Sequence, residues 1–166
     1  AKTAEGLRVM NQKIRDRELK KYFLCIVHGT LPRPAGRLEG YILKDEAKKQ
    51  VTVSSRPRPG AKTAVTLYET LAVRNGLSLV RCQLITGRTH QIRAQFAAAG
   101  HPLLGDGKYG SERQNKRYGR SYQALYSYRL EFCFTTDAGA LAPLDGQQFQ
   151  VEQVDFVTEY FPGFSL

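Results

Sequence analysis

Arg88, His90, Gln91 and Arg93 bring two guanidiniums, an imidazole and a carboxamide into six residues, shortly ahead of Gly100-His101-Pro102-Leu103-Leu104-Gly105-Asp106. Cations and amides gathered in this way suit contact with nucleic acid. The other reading of the same residues is a solvated first turn of a helix. More familiar chemistries fail on spacing. Gly105-Asp106-Gly107-Lys108 does not have the spacing of a phosphate loop, and no Ser or Thr follows the lysine. Cys25 and His28 on one strand point to opposite faces, which rules them out as nucleophile and base. His28, His90 and His101 stand without cysteines or carboxylates at ligand spacing, so no metal site is expected.

The elements that must position the cluster follow from periodicity. Residues 77–84 read as a strand feeding a Thr86-Gly87 turn. A helix then runs from about Thr89 to Gly100, with Ile92, Phe96 and Ala99 as its apolar stripe. Arg93 lies beside that stripe, so its guanidinium is expected at the edge of the core. Asn75-Gly76 is a type I′ hairpin signal that pairs the strand with an alternating one over residues 62–74. The continuous apolar run Tyr22 to Val27 reads as a strand covered on both faces. Further strands are expected at 37–44, 50–54 and 125–134, with a partner at 149–151. Thr3 should cap a helix over residues 4–15 whose buried stripe is Leu7, Met10 and Ile14. Residues 111–120 read as a basic loop, and 154–160 as a closing helix or turn. No repeat or long linker interrupts residues 1–166. The expectation is one α+β domain, with a mixed, largely antiparallel sheet and a few helices.

A chain of 166 residues suffices for one core. Its formal charge is +10, and 24 of its 25 basic residues fall in residues 1–120. That excess points to a polyanionic partner. No apolar run reaches the ~20 residues of a membrane helix, and no signal peptide opens the chain. Cys25, Cys82 and Cys133, each in an apolar stretch, read as reduced core residues of a cytoplasmic protein.

The segment Thr86-Gly87-Arg88-Thr89-His90-Gln91-Ile92-Arg93, with Gly100 to Asp106 and Tyr109-Gly110 behind it, resembles the late motif of the RluA-type RNA pseudouridine synthases. Lys20 to Val27 with Gly29 resembles that family's central strand. Pro59 to Ala64 and Tyr128-Arg129-Leu130 match in order, so the likeness runs over about residues 1 to 160. It implies the pseudouridine synthase catalytic fold and isomerisation of a uridine within structured RNA, ribosomal RNA or tRNA, without metal or cofactor. The resemblance makes Arg93 the partner of a nucleophilic aspartate. It makes an aromatic residue of the central strand the stacking platform for a flipped-out uracil.

Two departures accompany the likeness. Alignment on Cys25-Ile26-Val27 and Gly29 puts Phe23 where the family usually has tyrosine, with Tyr22 one residue early. Phe23 can stack but has no hydroxyl. The family's His-Arg-Leu-Asp motif is absent from the sequence, and Asp16, Asp45, Asp106, Asp137, Asp145 and Asp155 all stand in other contexts. The expectation is therefore the C-terminal portion of a synthase catalytic domain, inactive alone; a stand-alone RNA-binding domain derived from this fold is the alternative. Arg93 and Phe23 are the expected catalytic residues, and Lys62, Arg88, His90, Gln91, Arg113, Lys116 and Arg117 the expected RNA contacts. A sheet lacking strands would also expose an edge through which the chain could dimerise or aggregate.

Overall fold

The computed structural model describes residues 2–166. Thr3 caps α1 (Ala4–Arg15), its hydroxyl accepting from the Gly6 amide at 3.0 Å. Then come β1 (Leu19–His28), β2 (Ala35–Asp45), β3 (Gln50–Ser54), β4 (Lys62–Arg74) and β5 (Leu77–Leu84). After these run α2 (Gln91–Ala98), α3 (Glu112–Arg117), β6 (Leu125–Phe132), a 3₁₀ turn (Gly139–Leu144), β7 (Gln148–Gln150) and α4 (Asp155–Tyr160). The seven strands form one sheet in the order β3-β2-β4-β5-β1-β6-β7, every neighbouring pair antiparallel. The expected α+β architecture and largely antiparallel sheet are therefore present. The hairpin register follows from Asn75 and Gly76, both at positive φ (51° and 75°), as a type I′ turn requires.

The apolar run on β1 is buried on both faces because its side chains alternate between two cores. Leu24 and Ile26 join Leu77, Leu79, Phe156, Val157 and Phe161 beneath α4. Cys25 and Val27 join Val80, Cys82, Ile92, Phe96 and Leu103 beneath α2. Each such aliphatic side chain contributes about 1.5–3 kcal/mol by leaving water. Cys25 and Cys82 are free thiols with sulfurs 3.7 Å apart, whereas Cys133 is only half-buried.

Three local expectations are corrected. Leu7 and Ile14 of α1 are exposed, and the helix buries Lys13 instead. The Lys13 ammonium donates to Glu18 Oε2 and to the carbonyl and hydroxyl of Thr136, each at 2.7 Å. These bonds tether α1 to the chain beyond β6, so polar satisfaction rather than an apolar stripe decides which side faces inward. Residues 112–117 are helical, because Ser111 caps them by accepting from the Gln114 amide. On α2, Ala99 is exposed, and the inward side is Ile92, Phe96 and two glutamines.

Candidate active site

The strand-to-helix junction is held by amides. Gln91 is buried; its Oε1 accepts from the Thr86 hydroxyl (2.8 Å) and the Arg88 amide (3.0 Å). Its Nε2 donates to the Val65 carbonyl (3.0 Å) and the Thr66 hydroxyl (2.9 Å). Thr66 in turn donates to Gln95 Oε1 at 2.7 Å, and Gln95 Nε2 donates to the carbonyls of Leu38 and Ala64. Gln91 was expected to meet RNA; in the fold its amide is fully used in fastening α2 to β4. Gln95 escaped the sequence reading. Its one signal was the four-residue offset from Gln91, which puts both amides on the sheet-facing side of the helix.

Arg93 is on the same helix but turns to the loop that follows it. Its Nε and Nη2 each donate to Asp106 at 2.7 Å, a two-point ion pair in which the carboxylate is fully buried. Asp106 also accepts from the Lys108 and Tyr109 amides at 2.8 and 3.0 Å. Burial alone would raise its pKa, but the Arg93 guanidinium and these amides hold it below the ordinary value. Asp106 thus holds Arg93 through Nε and Nη2 and leaves Nη1 as the end that it does not hold.

The Arg93 guanidinium also lies over the Tyr109 ring, 5.1 Å from its centroid. Tyr109 Oη accepts from the Val51 amide and pairs with His90 Nδ1, both at 2.9 Å. His90 caps α2 in the left-handed conformation (φ 51°), and burial together with Arg93 and Lys108 lowers its pKa, favouring neutral imidazole. Arg88 donates through Nε to the Thr63 carbonyl at 3.0 Å, which brings it beside Lys62 at the start of β4. Lys62 is the sequence neighbour of Thr63 at the start of β4, while Arg88 and His90 flank the helix N-terminus. Arg113, Lys116 and Arg117 do not; they lie on α3, where Lys116 pairs with Glu112.

Phe23 and Tyr22 part company on β1. Phe23 packs against the core beneath α2, and Tyr22 against the opposite core. Tyr22 donates to Glu131 at 3.3 Å beneath the Arg129 guanidinium, and burial followed by the Glu131 charge raises its pKa. Phe23 lines an open cleft of about 450 Å³, together with Ile14, Leu84, Ile85, Thr86 and Lys21. That volume suits a nucleobase with part of its sugar. Among the described residues no three metal-ligating side chains converge.

A family model described as RNA pseudouridylate synthase matches residues 1–98, more than half of the chain. The chain belongs to the RluA-type RNA pseudouridine synthases. It is 38% identical over 104 residues to the uncharacterized RNA pseudouridine synthase YhcT of Bacillus subtilis, covering 61% of this chain and 33% of that protein. It is 30% identical over 141 residues to ribosomal large subunit pseudouridine synthase C of Escherichia coli, covering 81% of this chain and 43% of that protein. The chain thus spans less than half the length of both relatives. The solved structure of human RNA pseudouridylate synthase domain containing 4 shares the fold, with a TM-score of 0.70 at 21% identity, over 93% of this chain and 65% of that one. No helix among the described residues is long and apolar enough to cross a membrane.

Proposed function

We propose that these 166 residues carry the base-stacking and arginine half of an active site that isomerises uridine in structured RNA to pseudouridine. Phe23 is the stacking platform, because it shares a face with α2 and lines a cleft of nucleobase size, whereas Tyr22 lines a cleft of about 420 Å³ on the face away from α2. Stacking on one aromatic ring contributes ~1–3 kcal/mol, which helps hold a uracil out of its strand. Arg88 and His90 meet the RNA at the helix N-terminus, Lys62 at the start of β4, and Arg113, Lys116 and Arg117 from α3.

The observation that carries the reading is the fixed guanidinium of Arg93. Asp106 is no nucleophile: it is fully buried, and its oxygens are occupied by Arg93 and two backbone amides. It holds Arg93 while Nη1 remains free of it, so a second carboxylate can approach that end and be stabilised as the anion. That carboxylate attacks the ribose carbon as its bond to uracil N1 breaks, and the turned uracil then displaces the carboxylate through carbon 5, losing its C5 proton. The family's nucleophile comes from a His-Arg-Leu-Asp motif, which this sequence lacks. The 166-residue chain alone therefore does not turn over uridine.

The test is tritium release from carbon 5 of uridine in ribosomal RNA and tRNA transcripts. The chain alone should release none, and a fusion carrying a His-Arg-Leu-Asp segment ahead of Ala1 should release tritium in an Arg93-dependent manner. Turnover by the unfused chain, abolished by Arg93→Ala, would overturn the division of the site. A fusion that folds, binds RNA and never reacts would favour the non-catalytic RNA-binding reading.

A further inference from the structure

The end of the sheet farthest from the Phe23 cleft carries a second groove. β5 separates the two ends by about 23 Å, from Leu84 beside the cleft to Leu77 beside the Asn75-Gly76 turn. Here the turn, Gly29, His28, Tyr118 and α3 enclose a cavity of about 280 Å³. A wider hollow of about 600 Å³ adjoins it along α3, sharing Gln114 and Arg117 and adding Ser111 and Arg113. No acidic side chain lines either one. Arg113 and Arg117 have no carboxylate partner among the described residues, in contrast to Lys116 with Glu112 and Arg120 with Glu159.

The floor is aromatic and rigid. His28 and Tyr118 meet with ring centroids 5.6 Å apart, and the Arg117 guanidinium lies over the Tyr118 ring. Tyr118 is fixed by donating to the Asn75 carbonyl at 2.8 Å, and His28 by the bond between its Nε2 and Asn115 at 3.0 Å. Gly29 and Gly76, both at positive φ, leave backbone rather than side chains at the rim. Such a cavity admits one planar base, flanked by guanidiniums for its phosphates. A duplex, whose bases are stacked and paired, cannot enter it.

We propose that this groove binds an unpaired nucleotide of the substrate RNA, away from the target uridine, with its base against His28 and Tyr118 and its phosphates on Arg113 and Arg117. The proposal rests on the reading of the chain as an RNA-modifying synthase and adds a single-stranded segment flanking the target to what it recognises. Discrimination between substrates then depends on RNA too distant to touch the Phe23 cleft.

The experiment measures binding of the 166-residue chain to fluorescent single-stranded RNAs of roughly four and roughly twelve or more nucleotides, lengths that bracket a single-strand site. Arg113→Ala/Arg117→Ala and, separately, Gln114→Glu alter only exposed positions of α3. Unchanged melting temperatures would establish that both variants fold. Each should weaken the longer RNA by roughly tenfold, leave the short one unaffected, and in the double variant reduce the salt slope by about 1.4. Photocrosslinking of RNA containing 4-thiouridine should label Tyr118 or His28. Equal affinities for the longer RNA, with crosslinks confined to residues 62–93, would overturn the groove. Arg88→Ala separates the two failures. If it weakens binding while the α3 variants do not, the groove and the α3 contacts are wrong and the RNA reading stands; if no RNA binds at all, the RNA reading falls with them.

Discussion

Replacing Asp106 by asparagine tests whether Arg93 is held by the chain's own carboxylate. The side chain is fully buried, its partner is 13% exposed, and both N–O distances are 2.7 Å. Two unit charges about 4 Å apart attract by about 4 kcal/mol at an effective dielectric constant of 20. Asparagine keeps an acceptor for the Lys108 and Tyr109 amides but turns an NH₂ group toward a guanidinium that only donates. The expected loss is about 3 kcal/mol, the low end for breaking a buried pair. For a chain of this size that lowers the melting temperature by roughly 6–12 °C. Arg93→Ala should cost a similar amount, and the double variant about 2 kcal/mol less than the sum, since the interaction can be lost only once. Because the Asp106 pKa is depressed in the fold, this stability is complete above the unfolded value of about 3.9 and disappears as pH falls through the folded one. Circular-dichroism melts from neutral to acid pH measure all of it. A single-variant cost below about 1 kcal/mol, or simple additivity in the double variant, would refute the pair as the holder of Arg93.

Gln91→Ala should cost about 2–3 kcal/mol in denaturant titration by stranding the Thr66 and Val65 groups it bonds; loss of RNA affinity at unchanged stability would contradict its structural role. Glu18 is held at about 2 by Lys13 and the Thr135 and Thr136 hydroxyls, against 4.5 for the free side chain. Its contribution is full above 4.5 and lost as pH falls toward 2, so Glu18→Gln should flatten that part of the stability–pH curve, and parallel curves would be the adverse result. Gly105→Ala puts a Cβ into the Tyr122 carbonyl at a φ of +77°, and a loss of about 3 kcal/mol or more is expected. A soluble, normally melting variant would show that the loop after α2 yields more readily than its packing implies.

Much of this architecture is written in local pattern. The Asn75-Gly76 turn and the alternation around it define β4 and β5 because hairpin register is set by turn geometry and side-chain period, both local properties. The two-faced burial of β1 follows from an apolar run without polar interruption. The late motif identifies the family because its residues lie contiguously. What local pattern could not supply is the direction in which polar side chains spend their bonds. The helical stripe Leu7, Met10 and Ile14 looked buried, yet Lys13 faces inward because Glu18 and Thr136 lie within reach, the latter 123 residues away. Gln91 looked like an RNA contact, and a strand 25 residues earlier claims its amide. Asp106 looked incidental, and the turn of the chain back over α2 makes it the partner of Arg93. Phe23 was the expected stacking residue with Tyr22 one position early, and the sheet puts the two on opposite faces. The sequence by itself determined the strands and α2, the family and the absence of a His-Arg-Leu-Asp nucleophile motif. Only the tertiary structure decided which polar groups are satisfied internally and which remain free of internal partners, since a hydrogen-bond partner distant in sequence is invisible until the chain has folded.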